Sequence, residues 1–448
     1  MSSFSSLHIG ASALFASSRA VEVAAHNVAN ANTAGFTRQR LEVQTATPTA
    51  GTPGIRGDGM RGMGVTVLAV DRLRDRLADV AYRSEASVAG ASAARSSALS
   101  RTESVLGPYG QGGSEAYSRF LAAWDSLSLN PSDAAARSSV LAAGDALANS
   151  LRGSAQGLVD VSREIGLRVQ DQVGELNGLL DNVATLNLAI QDAVVAGSKP
   201  NDLLDQRDTA LDRITYLTGA RVEQDGSSAD VLLGDTPLVA RGTAARVAAS
   251  GTPLTLAVDG RPTPATGQLG GYLSAVNSDL PDYSARLDAL ALGLRDAVNA
   301  VHTGGRDLSG TPGRPFFTGD SALELRVEPA LTEDGVAASR SGQAADGENA
   351  LAMSELRTRP AVGTATGAEA LRAFGGRVGQ AVVDAERNAA NGELSLAGAT
   401  ATRAAVNGVN VDEEMVDLVK FQHAYSAASR VISVIDDMLN RIINEMGR

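Results

Sequence analysis

Three groups of residues have types and spacings that bear on chemistry. Gly57, Gly59 and Gly62 in GDGMRG match the G-x-G-x-x-G spacing, with which a backbone loop cradles a dinucleotide pyrophosphate. That fingerprint needs an apolar strand before it and a helix directly after it. No apolar strand precedes these glycines, and TVLAV after them reads as extended chain, so they are read as a structural loop. The four histidines, His8, His26, His302 and His423, form no H-E-x-x-H or comparable ligand spacing. His26 and His423 fall in the two terminal helices, where they would serve as interfacial polar groups. Acidic pairs recur at Asp202 with Asp205, Asp436 with Asp437, and along Asp412–Glu414. General acid–base work on a glycoside needs two carboxylates across a cleft, and nothing in the sequence builds one. These pairs read as solvated faces and helix caps.

No G-x-S-x-G elbow is present, and the absence of cysteine excludes thiolate nucleophiles, zinc–thiolate sites and iron–sulfur clusters. The sequence therefore assigns no catalytic residue, no metal and no cofactor, and it is not read as an enzyme. The formal net charge of -12 and the dispersal of arginine among acids oppose binding to phosphate backbones or anionic lipid. No apolar run is long enough to span a bilayer. The start, MSSFSSLHIGASALFASSRAVEV, lacks the basic and apolar blocks of a cleavable signal peptide, so secretion would follow another route.

Without catalytic groups to position, the elements themselves carry the argument. Aromatics are only 4% while hydrophobic residues reach 44%. Ala, Val and Leu thus supply the apolar surface, which suits thin, closely packed helices. Residues 6–31 read as a helix with Leu7, Leu14, Val21 and Val28 every seven residues, a narrow stripe of the coiled-coil kind. NANTAGF breaks it with a turn near Asn32–Gly35, and TRQRLEVQTATP follows as an extended arm. A helix from about Asp71 to Leu106 carries Leu73, Leu77, Val80 and Val88 as its apolar markers. Another contains Ala116–Ser128, with Phe120, Leu121, Trp124 and Leu127 directed to a core.

Beyond the NPSD break, a very long helix buries Val140, Leu147, Leu151, Leu158, Ile165, Val169, Val173, Leu176, Leu180 and Val183. Alternation and turn residues over 220–266 predict a small β-rich insertion. Helix is expected again at Gly270–Val301 and at 365–406, with a short strand near Leu323–Val327. The last helix starts near Val411. Met415, Leu418, Phe421, Tyr425, Ala428, Ile432, Ile435, Leu439 and Ile442 repeat mostly at alternating steps of three and four.

The fold class expected is mainly α with a small β-rich insertion: an elongated helical rod domain plus N- and C-terminal coiled-coil helices. The expected units are 1–70 with 405–448 (terminal coils and arm), 71–219 with 267–404 (rod), and 220–266 (small outer β unit). Each terminal stripe lacks a partner close in sequence, so the two ends are expected to pair with each other or with neighbouring subunits.

AAHNVANANTAGFTRQR (Ala24 to Arg40) and VNGVNVDEEMVDLVKFQHAYSAASRVISVIDDMLNRII (Val406 to Ile443) resemble the two ends of the flagellar rod, hook and hook-associated axial protein family. FLAAWDSLSLNPSDAAARSSVLAAGDALANSL, NDLLDQRDTALDRITYLTGARV and the stretch Leu269 to Gly310 are similar to the members at the hook–filament junction. The resemblance implies a structural subunit exported through the flagellar type III apparatus, located extracellularly where hook meets filament. Implied partners are copies of itself in a ring-like or helical zone, the hook protein, a second hook-associated protein and an export chaperone. Nucleic acid and membrane insertion are not implied. By position, Asn27, Asn30, Asn32, Gly35, Arg38 and Gln39 match the N-terminal motif. Asn410, Glu413, Met415, Gln422, Tyr425 and Ala428 match the C-terminal one. Ala34 stands where Pro is common in the family and Phe36 where Tyr is usual.

Overall fold

The structure, a computed structural model, describes residues 2–47, 62–107 and 111–446. Gly57 and Gly59 lie outside the described residues; Gly62 leads without helix into a strand. The elements run α1 (Ser2–Asn30), β1 (Gln39–Thr45), β2 (Val65–Arg72), α2 (Arg76–Leu106), α3 (Gln111–Leu129), α4 (Ala134–Val195) and α5 (Asn201–Thr218). Seven short strands, β3 to β9, then occupy Arg221–Pro262. After them come α6 (Gln268–Ser274), a π-helical turn at Ala275–Asp279, and α7 (Leu280–Thr303). β10 (Phe317–Thr318), β11 (Arg326–Val327), α8 (Glu348–Ser354), α9 (Gly367–Asn407) and α10 (Val411–Met446) complete the chain. The molecule is a mainly helical rod with long terminal helices and one β-rich region.

The rod is organised by α4. Asp133 caps it by accepting from Ala135 N, and it continues for 62 residues, roughly 93 Å at the α-helical rise. All ten of its expected apolar markers are buried. Two cores share this helix. One joins its first half to α3, α7, α8 and the start of α9. There Phe120, Trp124, Phe316 and Phe317 meet edge-on or tilted, with centroids 4.8 Å apart for Phe316–Phe317 and 6.2 Å for Phe120–Trp124. The other joins the second half to α2, α5, α6 and the β strands.

The β strands form a four-stranded antiparallel meander, β3-β4-β5-β6, and a three-stranded one, β7-β8-β9. Asparagines hold them to the helices through both amide atoms. Asn187 donates to Ala229 O (2.9 Å) and accepts from Ala229 N (3.1 Å). Asn177 does the same to Val247, and Asn277 of the π-helical turn does so to Leu254. An amide side chain thereby stands in for one residue of a neighbouring strand.

The expected markers of α2 are a correction. Leu77 is 80% exposed, Val80 and Val88 are also exposed, and Leu73 is half-buried ahead of the helix. The buried face instead carries Ala78, Ala86, Ala89, Gly90, Ala94 and Ala98. α9 packs so close to this face that a Cβ on Gly392 would lie 3.1 Å from Ala89 Cα. Large side chains would hold the two helices apart, so they are turned to solvent.

Candidate assembly interface

The N-terminal motif forms a joint between α1 and the rod. Gly35 has a φ of +82°, and a Cβ there would overlap Thr209 Oγ1 of α5. Left-handed backbone and close approach both require glycine. Asn30 closes the helix end by donating to His26 O (3.0 Å), and Thr33 Oγ donates to Asn30 Oδ1. Phe36 sets its ring edge-on to His26, centroids 5.3 Å apart. Asn32 and Ala34 are exposed in the turn. His26 Nε2 lies 3.6 Å from Asp202, while His423 is exposed on α10. No group of three His, Asp or Glu side chains suited to a metal ion occurs among the described residues.

Asn27 is the hub of the joint and only 1% exposed. It accepts from Gln39 N (3.0 Å) and donates to Gln39 O (2.8 Å), binding the start of β1 as the other asparagines bind their strands. It also donates to Glu414 Oε2 of α10 at 3.0 Å. Arg38 reaches the same helix, with Nε 2.6 Å from Glu414 and Nη1 3.2 Å from Glu413, and its backbone N–H donates to Asn407 O. The Gln39 side chain donates to Asp202 and accepts from Asn201, and Thr37 N donates to Asp205. The NDLLDQRD segment at the start of α5 is therefore the socket for the N-terminal turn.

Beneath that socket lies a buried ion network. Arg72 contacts Asp205 and Asp208 at 2.7 and 2.8 Å. Arg74 pairs with Asp79 at 2.6 Å and with Asp208. Arg83 reaches Asp212 at 2.7 Å, and Arg403 of α9 joins Asp212 to Asp79 at 2.6 and 2.9 Å. Four guanidinium groups thus balance four carboxylates, which is how charge can be buried. Burial alone would raise the Asp208 carboxyl, but Arg74, Arg72 and Arg83 hold it below its ordinary range. Arg403 also stacks 4.5 Å above the Tyr82 ring.

α1 and α10 pair antiparallel, since Asn27 meets Glu414 and a Cβ on Gly10 would lie 3.0 Å from Ile432. On α1 the buried line is Gly10, Ala16, Ala20, Val23, Ala24 and Asn27. Leu7, Leu14, Val21 and Val28 flank it half-buried. Small residues let α10 approach closely, so the innermost line is alanine-rich rather than leucine-rich. On α10, Glu414, Ala428 and Ile435 are buried, and Leu418, Phe421, Ile432 and Leu439 half-buried. Met415, Gln422 and Tyr425 are exposed, as is Asn410, whose side chain caps α10 by accepting from Asp412 N. Glu413 is exposed beside Arg38; the side chain of Ile442 lies outside the described residues.

Reading Asp205 and Glu414 as solvated acids is corrected: both are buried and paired. Glu414 had a signal, because stepping back four residues from Leu418 along the heptad lands on it. The arginines 72, 74, 83 and 403 carry no such periodic mark.

Three family models match the chain. They describe the flagellar hook-associated protein FlgK helical domain over residues 99–317, the flagella basal body rod protein over 7–37, and the flagellar basal body rod FlgEFG protein C-terminal over 405–445. Flagellar hook-associated protein 1 of Bacillus subtilis (strain 168) is 28% identical, spanning 100% of this chain and 99% of the relative. Flagellar hook-associated protein 1 of Salmonella typhimurium is 29% identical over 68% of this chain and 58% of its own length. The structure of the flagellar hook junction protein FlgK from Burkholderia pseudomallei shares the fold, with a TM-score of 0.65 at 16% identity, covering 73% of this chain and 100% of that one. Joint, rod and matches agree: the chain belongs to the flagellar axial protein family, among the hook-associated protein 1 members, and is a structural protein of the bacterial flagellum.

Proposed function

We propose that this subunit is the adaptor between flagellar hook and filament, assembling with copies of itself through its terminal helices and with neighbours through the sides of the rod. The observation that carries this reading is a second apolar stripe on α10. Ala424, Ala427, Val431, Val434 and Met438 follow one another at steps of three and four, all exposed, one position behind the line that faces α1. A helix with two adjacent heptad stripes has room for two partners, and only one is intramolecular. Phe15, 63% exposed on α1, adds to the uncovered apolar surface.

In this reading residues 1–70 with 405–448 form the inner wall, 71–219 with 267–404 the rod, and 220–266 an outer unit. The partners are the hook protein below, a second hook-associated protein above, and an export chaperone before assembly. Such a chain leaves the cell through the flagellar type III apparatus. It has no reaction to perform, and its work is mechanical continuity between two tubes.

The test replaces Val434 and Met438 together by Asp. The α1–α10 pair faces away from both and persists, while incorporation at the junction is lost because charge cannot enter the second stripe. Antibody against the rod locates the protein, with a strain lacking it as control. A narrow band where hook meets filament supports the adaptor. Label along the whole hook or filament, or normal incorporation of the double variant, overturns it.

A further inference from the structure

We infer that Glu414 is a register lock: its contacts with Asn27 and Arg38 select the height at which α10 pairs with α1. This rests on the reading of α10 as an assembly helix, because the lock matters only if the second stripe must be held at one height for a neighbour.

Apolar packing alone selects poorly here. The α1 line is mostly Ala and Gly, which accept many facing side chains. At Gly10 the two α10 stripes compete directly, since a Cβ there would lie 3.0 Å from Ile432 of one and 3.7 Å from Val431 of the other. A slip of α10 by seven residues would keep apolar groups opposite apolar groups along most of the pair. It would place Phe421 beside Asn27, however, and Phe offers no acceptor.

The polar end removes that ambiguity. Asn27 is immobilised by its two bonds to the Gln39 backbone, so its remaining N–H points in one direction. Glu414 is 3% exposed and fills the first heptad place of the stripe facing α1. It accepts from Asn27 at 3.0 Å and from Arg38 at 2.6 Å. Glu413, one residue earlier, heads the second stripe and takes only the outer side of Arg38 at 3.2 Å. Turning α10 by one residue would bring Glu413 to Asn27 in place of Glu414 and set Asp417 and Lys420 of the second stripe against alanine, so those two side chains oppose the turn while Glu414 opposes the slip. A polar group at one seam position specifies register in coiled coils at some cost in stability.

The chain has no cysteine, so an introduced pair reports register directly. Full-length protein carrying Gly10→Cys with Ile432→Cys reads the native register, and Gly10→Cys with Leu439→Cys reads the seven-residue slip. With Glu414 in place, oxidation links only 10 to 432. In Glu414→Leu the 10–439 product rises roughly tenfold or more, as expected for a lost charge-assisted bond, while helix content is retained. Glu414→Gln, which still accepts from Asn27, keeps the native product. Two results overturn the lock. Exclusive 10–432 linkage in Glu414→Leu would mean that packing sets the register. Loss of α10 helix in that variant, read by hydrogen exchange, would mean that Glu414 merely stabilises. Failure of the Val434 and Met438 double variant to block incorporation would overturn the assembly reading and leave this linkage result intact.

Discussion

Acid should weaken the first core of the rod through one side chain, His302. Its ring is fully buried, Nε2 accepts from Ala337 N at 3.0 Å, and Nδ1 lies 2.5 Å from Arg314 O and donates to it. Burial lowers its pKa from 6.5 to about 4, against the smaller opposing effect of the Arg314 carbonyl. The unfolded chain therefore takes up the proton first. Stability contributed by the neutral ring is complete above pH 6.5 and falls as pH drops toward 4, below which the loss levels off. With these two values the loss is about 1 kcal/mol at pH 5.5, about 2–3 kcal/mol at pH 4.5 and about 3 kcal/mol in the limit. Trp124, the single tryptophan, has its ring centroid 5.9 Å from that of His302, so its fluorescence reports this core. Urea unfolding followed at Trp124 should show these losses between pH 7 and 4.5. His302→Gln should be less stable at pH 7 yet nearly flat across the same window. An equal pH dependence in both proteins would refute the assignment to His302.

Three further outcomes are expected. Asp208→Ala leaves Arg72, Arg74 and Arg83 short of a buried partner and should cost about 3–5 kcal/mol, read from chemical denaturation. Gly35→Ala should cost about 1–3 kcal/mol from the positive φ and the overlap with Thr209; adding Thr209→Ala should recover the steric part and leave the backbone part. Asn187→Leu removes the donor to Ala229 O together with the acceptor for Ala229 N and Arg207. It should cost about 1–3 kcal/mol and deprotect the Ala229 amide in hydrogen exchange before the α4 amides are affected.

Much of this architecture was legible because long periodic stripes dominate it. The ten markers of α4 are branched or long apolar residues at helical spacing, and such a stripe has no alternative to burial. The β strands announced themselves by alternation and by turn glycines such as Gly226, Gly234 and Gly260, all at positive φ. α2 misled because its chosen markers, Leu77, Val80 and Val88, point to water, while alanines make the contact with α9. Hydrophobicity ranks Leu over Ala; close helix approach reverses that ranking. Within the joint, Gly35 and the asparagines could be placed by type, since turns and caps use them locally. The ion network could not be. Arg72 finds Asp205 and Asp208 more than a hundred residues away, and an isolated arginine looks the same in sequence whether it is buried or solvated. Met415 matches the family motif but steps off the heptad, and its neighbour Glu414 takes the buried place.

The pairing of α1 with α10 also has a consequence in time. The first and last helices of the chain meet across nearly its whole length, so a chain stopped anywhere before α10 has no terminal pair at all. The rod needs nothing from α10 for its two cores. A chain that ends before α10 therefore keeps every residue of both cores and lacks Glu414, the partner of Asn27. Truncated copies would fold as rods yet carry an unpaired α1, and so would lack the surface that α10 presents. The topology thus makes the presence of α10 a condition of forming the terminal helix pair.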